Sequence, residues 1–204
     1  MKIIITLTIL FLGAQLFSQT NYQKFKSQDF PIKKWIIFHP LKAKKAEILS
    51  KKALKISDSI AATNLFSNDK FGGSVDAFRH AFWMATLRQQ IGKCAAQSLG
   101  KAYERSNKRT FKRSNRKGTT SFYDKPSKKM DLFNNKVGLS LVKRNQIINK
   151  NELIIIIVQA IKNGKLKILK KDSFGNFLNC KGQRLNLIEV KGWRNDKCLV
   201  SSNK

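Results

Sequence analysis

Gly72-Gly73-Ser74-Val75-Asp76-Ala77-Phe78-Arg79-His80-Ala81-Phe82-Trp83 decides how this chain reads. The glycine pair breaks whatever precedes it, Ser74 is a good N-cap, and Val75 to Ile91 then runs as a helix that Gly92 ends. Positions 76, 79, 80 and 83 fall on one stripe of that helix. Asp76 can therefore reach His80 one turn on and fix its tautomer, as a carboxylate does behind a catalytic or metal-bound imidazole. Arg79 stands beside them as a fixed positive charge. A plain amphipathic helix requires none of these three.

Working outward, Trp35-Ile36-Ile37-Phe38-His39-Pro40 is a short apolar patch closed by proline, with His39 read as a loop residue. From Leu41 to Leu65, Ala46, Leu49, Ala53, Ile56 and Ile60 recur at three or four, the period of an amphipathic helix. A third helix, Lys93 to about Lys108, is rich in small residues and carries one carboxylate, Glu104. Residues 105–129 hold ten Lys/Arg against Asp124 alone, with Gly118 and Pro126, and read as a mobile basic loop. Its aromatics Phe111, Phe122 and Tyr123 interleave the charges, which suits contact with a polyanion.

Met130 to Arg144 resumes helical period and aligns Asp131, Asn134, Asn135 and Gly138 on one face. Asn151 can cap a fifth helix, Glu152 to Lys162, whose run Leu153 to Val158 implies burial on nearly all sides. After Gly164 the pattern changes: Leu166 to Leu169 alternates, Asp172 to Asn176 turns, and Phe177-Leu178 resumes, as in a small hairpin. The expected fold is mainly α, a bundle of about five helices with a C-terminal β-hairpin appendage. The helical domain spans 19–164 and the β-containing tail 165–204.

The N-terminus reads separately. One lysine, a short apolar run from Ile3 to Leu12 and the small residue Ser18 before Gln19 have the layout of a secretory signal peptide over residues 1–18. The run is short for a membrane span, which takes roughly 20 apolar residues. Export to a secreted or periplasmic location follows, and with it an oxidising compartment in which Cys180 and Cys198 could pair, although spacing alone does not decide the pairing. No C-x-x-C or paired Cys/His spacing suggests structural zinc.

Composition bounds the function. Of 204 residues, 42% are apolar and 26% charged, which is a globular chain. The 41 Lys+Arg against 12 Asp+Glu give a formal charge of +29, favouring nucleic acid, anionic lipid or a cell-surface polymer as partner, through residues 105–129 above all. The excess is mostly lysine in a chain also rich in Ile and Asn, a composition that base drift alone can produce. The phosphate-loop, zincin, serine-hydrolase and dinucleotide motifs are absent.

The runs Asp76-Ala77-Phe78-Arg79-His80-Ala81 with Trp83, Ile91-Gly92, Lys101-Ala102-Tyr103-Glu104 and Met130-Asp131-Leu132-Phe133-Asn134-Asn135-Lys136-Val137-Gly138 resemble an uncharacterised bacterial domain family. Its signature is D-A-F-R-H-A-x-W, a helix ending in H-E, and M-D-L-x-N-N-x-x-G. The likeness covers roughly residues 70–145, and the leader's ending is similar to those of exported Bacteroidota proteins. The family implies no particular reaction. Where its pattern has His-Glu this chain has Tyr103-Glu104, which puts in doubt any role that histidine would play.

Two functional readings fit these residues. In one, His80, Asp76, Arg79, Glu104, Asp131, Asn134 and Asn135 form a polar inter-helix site. It would hold a divalent cation, a hard one rather than zinc, or supply acid/base groups, to hydrolyse a phosphate-bearing polymer or lipid. In the other, the same residues are a hydrogen-bonded register device inside a non-catalytic module that binds anionic surfaces or nucleic acid. Convergence of these side chains at an open pocket, as against a sealed core, separates the two.

Overall fold

A computed structural model describes residues 21–63, 65, 66, 69–119 and 123–204. The leader at 1–18 and Phe122 lie outside them. Helices run through residues 21–27 (α1), Phe30–Phe38 (α2), Pro40–Ala61 (α3), Ser74–Ile91 (α4), Lys93–Arg116 (α5), Lys125–Ser140 (α6) and Lys150–Lys162 (α7). Strand β1 (Lys167–Leu169), a short α8 (Leu187–Lys191) and strand β2 (Leu199–Ser201) complete the chain. The fold is mainly helical with one small antiparallel sheet, but the described residues hold eight helices, not about five. One of the extra ones, α2, starts at a proline, as does the expected α3. Pro31 and Pro40 occupy the first turns of α2 and α3, where the missing N–H costs nothing, so Pro40 opens a helix instead of closing a patch. None of the described helices is long and apolar enough to cross a membrane.

α4 is the axis. Twelve of its 18 residues are buried, and α3, α5, α6 and α7 all pack against it. Ala77, Ala81 and Ala85 let neighbouring helices come close. At Gly138 the backbones of α6 and α4 nearly touch, since a Cβ there would stand 2.3 Å from the Ala81 carbonyl oxygen. Asn135 and Asp131 lie one and two turns before Gly138, so the same close crossing delivers them to α4. Gly73, not Ser74, takes the cap position of α4, and the Asp76 carboxylate accepts from the Gly72 N–H (2.8 Å) at the helix start. Gly72 sits at φ +83°, in the left-handed region that glycine tolerates.

Three other expectations change. The basic loop at 105–129 is largely helix: α5 continues to Arg116 and α6 begins at Lys125. Lys, Arg and Asn are compatible with a solvated helix face, and Phe111, seven residues after Glu104, supplies the buried anchor by packing on Trp193 at 5.2 Å. Pro126 is a first-turn residue, and Asp124 caps α6 by accepting from Ser127 N and Oγ (2.8 Å each). Second, α7 is buried on one side only, through Leu153, Ile157, Ala160 and Ile161, while Ile155 is exposed, and its cap is Asn149, not Asn151. Third, the strand partner of β1 is β2, with Lys167 opposite Ser201 and Leu169 opposite Leu199. The Asp172–Asn176 turn closes only an isolated bridge, Lys171 to Phe177. A disulfide joins Cys180 to Cys198, and Cys94 is free and exposed.

Candidate functional site

α4 and α6 meet at His80, which is buried. Its Nδ1 lies 3.1 Å from Asn135 Oδ1, an acceptor, so Nδ1 carries the proton and Nε2 keeps its lone pair. Around Nε2 stand Asp131 Oδ1 at 3.3 Å, Asp76 Oδ1 at 3.5 Å and Arg79 Nη2 at 3.2 Å. Arg79 can only donate, which agrees with an unprotonated Nε2, and it also donates to Asp76. One atom each from Asp76, His80 and Asp131 lies within 4.8 Å of the other two, the spread of a metal-ligand set.

The electrostatics follow from burial. Removal from water pushes the His80 pKa down to about 4, against the pull of Asp76, so the imidazole is neutral near pH 7. Burial, reinforced by the Asp76 and Glu104 charges, raises the Asp131 carboxyl well above its ordinary range. Glu104 is fully buried; desolvation pushes its carboxyl up to about 7, while the Tyr123 hydroxyl donates to Oε2. Glu104 Oε1, Asp131 Oδ1 and Asn135 Nδ2 are the buried side-chain atoms without a hydrogen-bond partner among the described residues. Asp131 Oδ1 and Asn135 Nδ2 belong to this cluster, and Glu104 Oε1 lies in its neighbourhood.

Of the seven residues singled out in the sequence, Asp76, Arg79, His80, Asp131 and Asn135 meet directly. Glu104 is a neighbour felt through its charge and sits outside the possible ligand set. Asn134 points elsewhere: its amide accepts from Lys167 N and donates to Lys167 O (2.9 Å each), clamping β1 to α6 as a neighbouring strand would. Sequence reasoning missed Tyr123, placed with the loop aromatics; its position just before the α6 cap was the available signal.

It also missed the approach to the site. A cavity of about 1040 Å³ opens between α1, α2, α3, α4 and α5. Ile32, Trp35, Ile36, Ala43 and Leu99 make its walls mostly apolar, and Arg79, His80, Trp83 and Tyr103 line its polar end. Tyr103, which replaces the histidine of the resembled pattern, sets its ring edge-on to Trp83 at 5.3 Å. It is therefore a wall residue of this groove, outside the three-atom set at His80.

No curated protein and no solved structure matches the chain. A domain-family model does, over residues 33–165, a stretch that contains all seven singled-out residues and ends just before β1. The family is described as a domain of unknown function, DUF6973, and the chain belongs to it.

Proposed function

We propose that the chain is a cation-assisted hydrolase of phosphate-bearing lipids, with Asp76, His80 and Asp131 as the cation ligands. The observation that carries this reading is Asp131 Oδ1: a buried carboxylate oxygen without a hydrogen-bond partner, facing the free lone pair of His80 Nε2 and the Asp76 carboxylate. Buried polar atoms are left unpaired so rarely that this oxygen, inside a possible ligand set, calls for a missing partner. Two carboxylates and one imidazole suit Mn²⁺, Mg²⁺ or Ca²⁺. A bound cation would polarise a phosphoryl oxygen and lower the pKa of a bound water. Arg79 now supplies the positive charge at Asp76 and also lines the groove, so once a cation takes over at Asp76 its guanidinium is placed to hold an anionic headgroup. Glu104, held protonated by burial below about pH 7, is a proton donor in reserve. The apolar walls favour an acyl chain over a nucleic-acid backbone as occupant of the groove.

Location and partners belong to the same proposal. Export of a bacterial protein through a cleaved leader at 1–18 is supported by the Cys180–Cys198 disulfide, which suits an oxidising compartment. The basic half of α5, from Arg105 onward, adds a polyanion-facing surface; that surface is what favours the second reading, a non-catalytic binder of anionic polymers. Hydrolysis separates the two. Phosphatidylglycerol vesicles and nucleic acids are incubated with the chain in Mn²⁺ or in chelator, beside His80→Ala. Lipid cleavage that chelator stops and His80→Ala lowers by about a hundredfold or more is expected. Absence of cleavage on every substrate, with His80→Ala only less stable, favours the binder.

A further inference from the structure

We infer that the outward face of α2, together with the first turn of α3, docks on an anionic lipid bilayer. The helix Phe30-Pro31-Ile32-Lys33-Lys34-Trp35-Ile36-Ile37-Phe38 is apolar nearly all round, the pattern of a helix buried on every side, yet Trp35 is its one buried residue. Ile32, Trp35 and Ile36 turn inward and line the groove. Phe30 and Ile37, two turns apart and opposite Trp35, are each 64% exposed; Phe38 is 69% and Leu41 97% exposed. Single apolar residues scatter over any surface, but four within twelve positions at one helix junction form a patch.

Charge selects the partner. Residues 24–45 contain seven lysines and one acid, Asp29. That acid is turned to α5, where Ser106 donates to it at 2.7 Å and Arg113 pairs with it at 3.2 Å. An apolar face flanked by lysines such as Lys33 and Lys34, with no free acid beside it, is the composition of a helix lying in the headgroup region of an anionic membrane. A second copy would press one lysine-rich rim on another in a chain of formal charge +29, which opposes self-association through this face. The same helix forms the groove wall, so an amphiphile leaving the bilayer meets the groove without crossing water. The inference deepens the lipid reading of the site and rests on it for the substrate. Docking needs no turnover, so its test stands or falls separately from hydrolysis.

The full chain is mixed with vesicles of phosphatidylcholine alone, or with about one-third phosphatidylglycerol, and the sedimented fraction is measured. Binding to the anionic vesicles is expected to be tighter by about tenfold or more and to weaken with salt. Phe30→Ser, Ile37→Ser, Phe38→Ser and Leu41→Ser together should weaken it by about a hundredfold with the circular dichroism unchanged, since these side chains are exposed. Leu187→Ser with Ile188→Ser, at another exposed apolar pair, should leave it as it was. Equal partition of the fourfold variant and the unaltered chain overturns the inference, as does equal binding to both vesicle types. A concentration-dependent dimer that the fourfold variant dissolves also overturns it, because the face then belongs to a second copy.

Discussion

Among the described residues two clusters bury charge, and they are finished differently. At the foot of α6, Lys197 Nζ lies 2.5 Å from Asp124 Oδ2, with both side chains essentially inaccessible. Asn195 donates to the same oxygen at 2.8 Å, Ser127 satisfies the other, and the ammonium sits 3.9 Å from the centre of the Phe177 ring. Both carboxylate oxygens there have partners, and the pair ties the tail to the helix that carries Asp131 and Asn135. Two turns further along α6, Asp131 faces His80 with an unpartnered oxygen, and Glu104 and Asn135 each leave another buried atom unpaired. The first is a closed network; on the reading proposed above, the second keeps a place for a cation at Asp131.

The largest effect that should separate the clusters comes from removing one partner in each. Lys197→Met strands a buried carboxylate and should cost about 3–5 kcal/mol in urea unfolding. Asp131→Asn replaces a carboxyl whose charged form burial already disfavours and whose Oδ1 lacks a hydrogen-bond partner, so without added cation it should leave stability unchanged or raise it. Similar losses in the two variants would show that both clusters are structural.

A smaller effect reads the site through pH. The Glu104 carboxyl is raised to about 7, so its contribution to stability is full below about pH 4.5 and is lost as pH rises through 7. The His80 imidazole is lowered to about 4, so its contribution is full above about pH 6.5 and is lost as pH falls through 4. The two slopes oppose each other between about pH 4.5 and 6.5. Glu104→Gln removes the first and leaves the second, so relative to the unaltered chain it should gain on the order of 2–3 kcal/mol between pH 4.5 and 7.5. Identical pH profiles from urea unfolding at four pH values in that range would deny Glu104 its raised pKa.

The contrast also marks what the sequence could reveal. α4 was legible because its signals are local: the Gly72-Gly73 break, the Gly92 stop, and Asp76 one turn before His80 on the same stripe. Gly138 in one register with Asp131 and Asn135 was legible in the same way, and the backbone contact at Ala81 is its physical reason. Asn134 was not, because neighbouring positions on a helix differ by about 100°, and only the location of β1 decides which of two adjacent amides faces His80. The α5 part of the basic stretch was misread as loop because Phe111 is its one buried residue and that anchor's partner, Trp193, lies far along the chain. The groove escaped for a similar reason. Its walls come from α1 through α5, and no segment of sequence announces a space between five helices.

The most direct test of the central claim is a cation titration followed by melting temperature. Mn²⁺ added to the chelator-treated chain should raise the transition of the unaltered protein, by the equivalent of about 2.7 kcal/mol when the ion is a hundredfold above its Kd. The same titration of Asp131→Asn should leave its transition in place. No shift with Mn²⁺, Mg²⁺ or Ca²⁺, or an equal shift in Asp131→Asn, would contradict the assignment of Asp76, His80 and Asp131 as cation ligands.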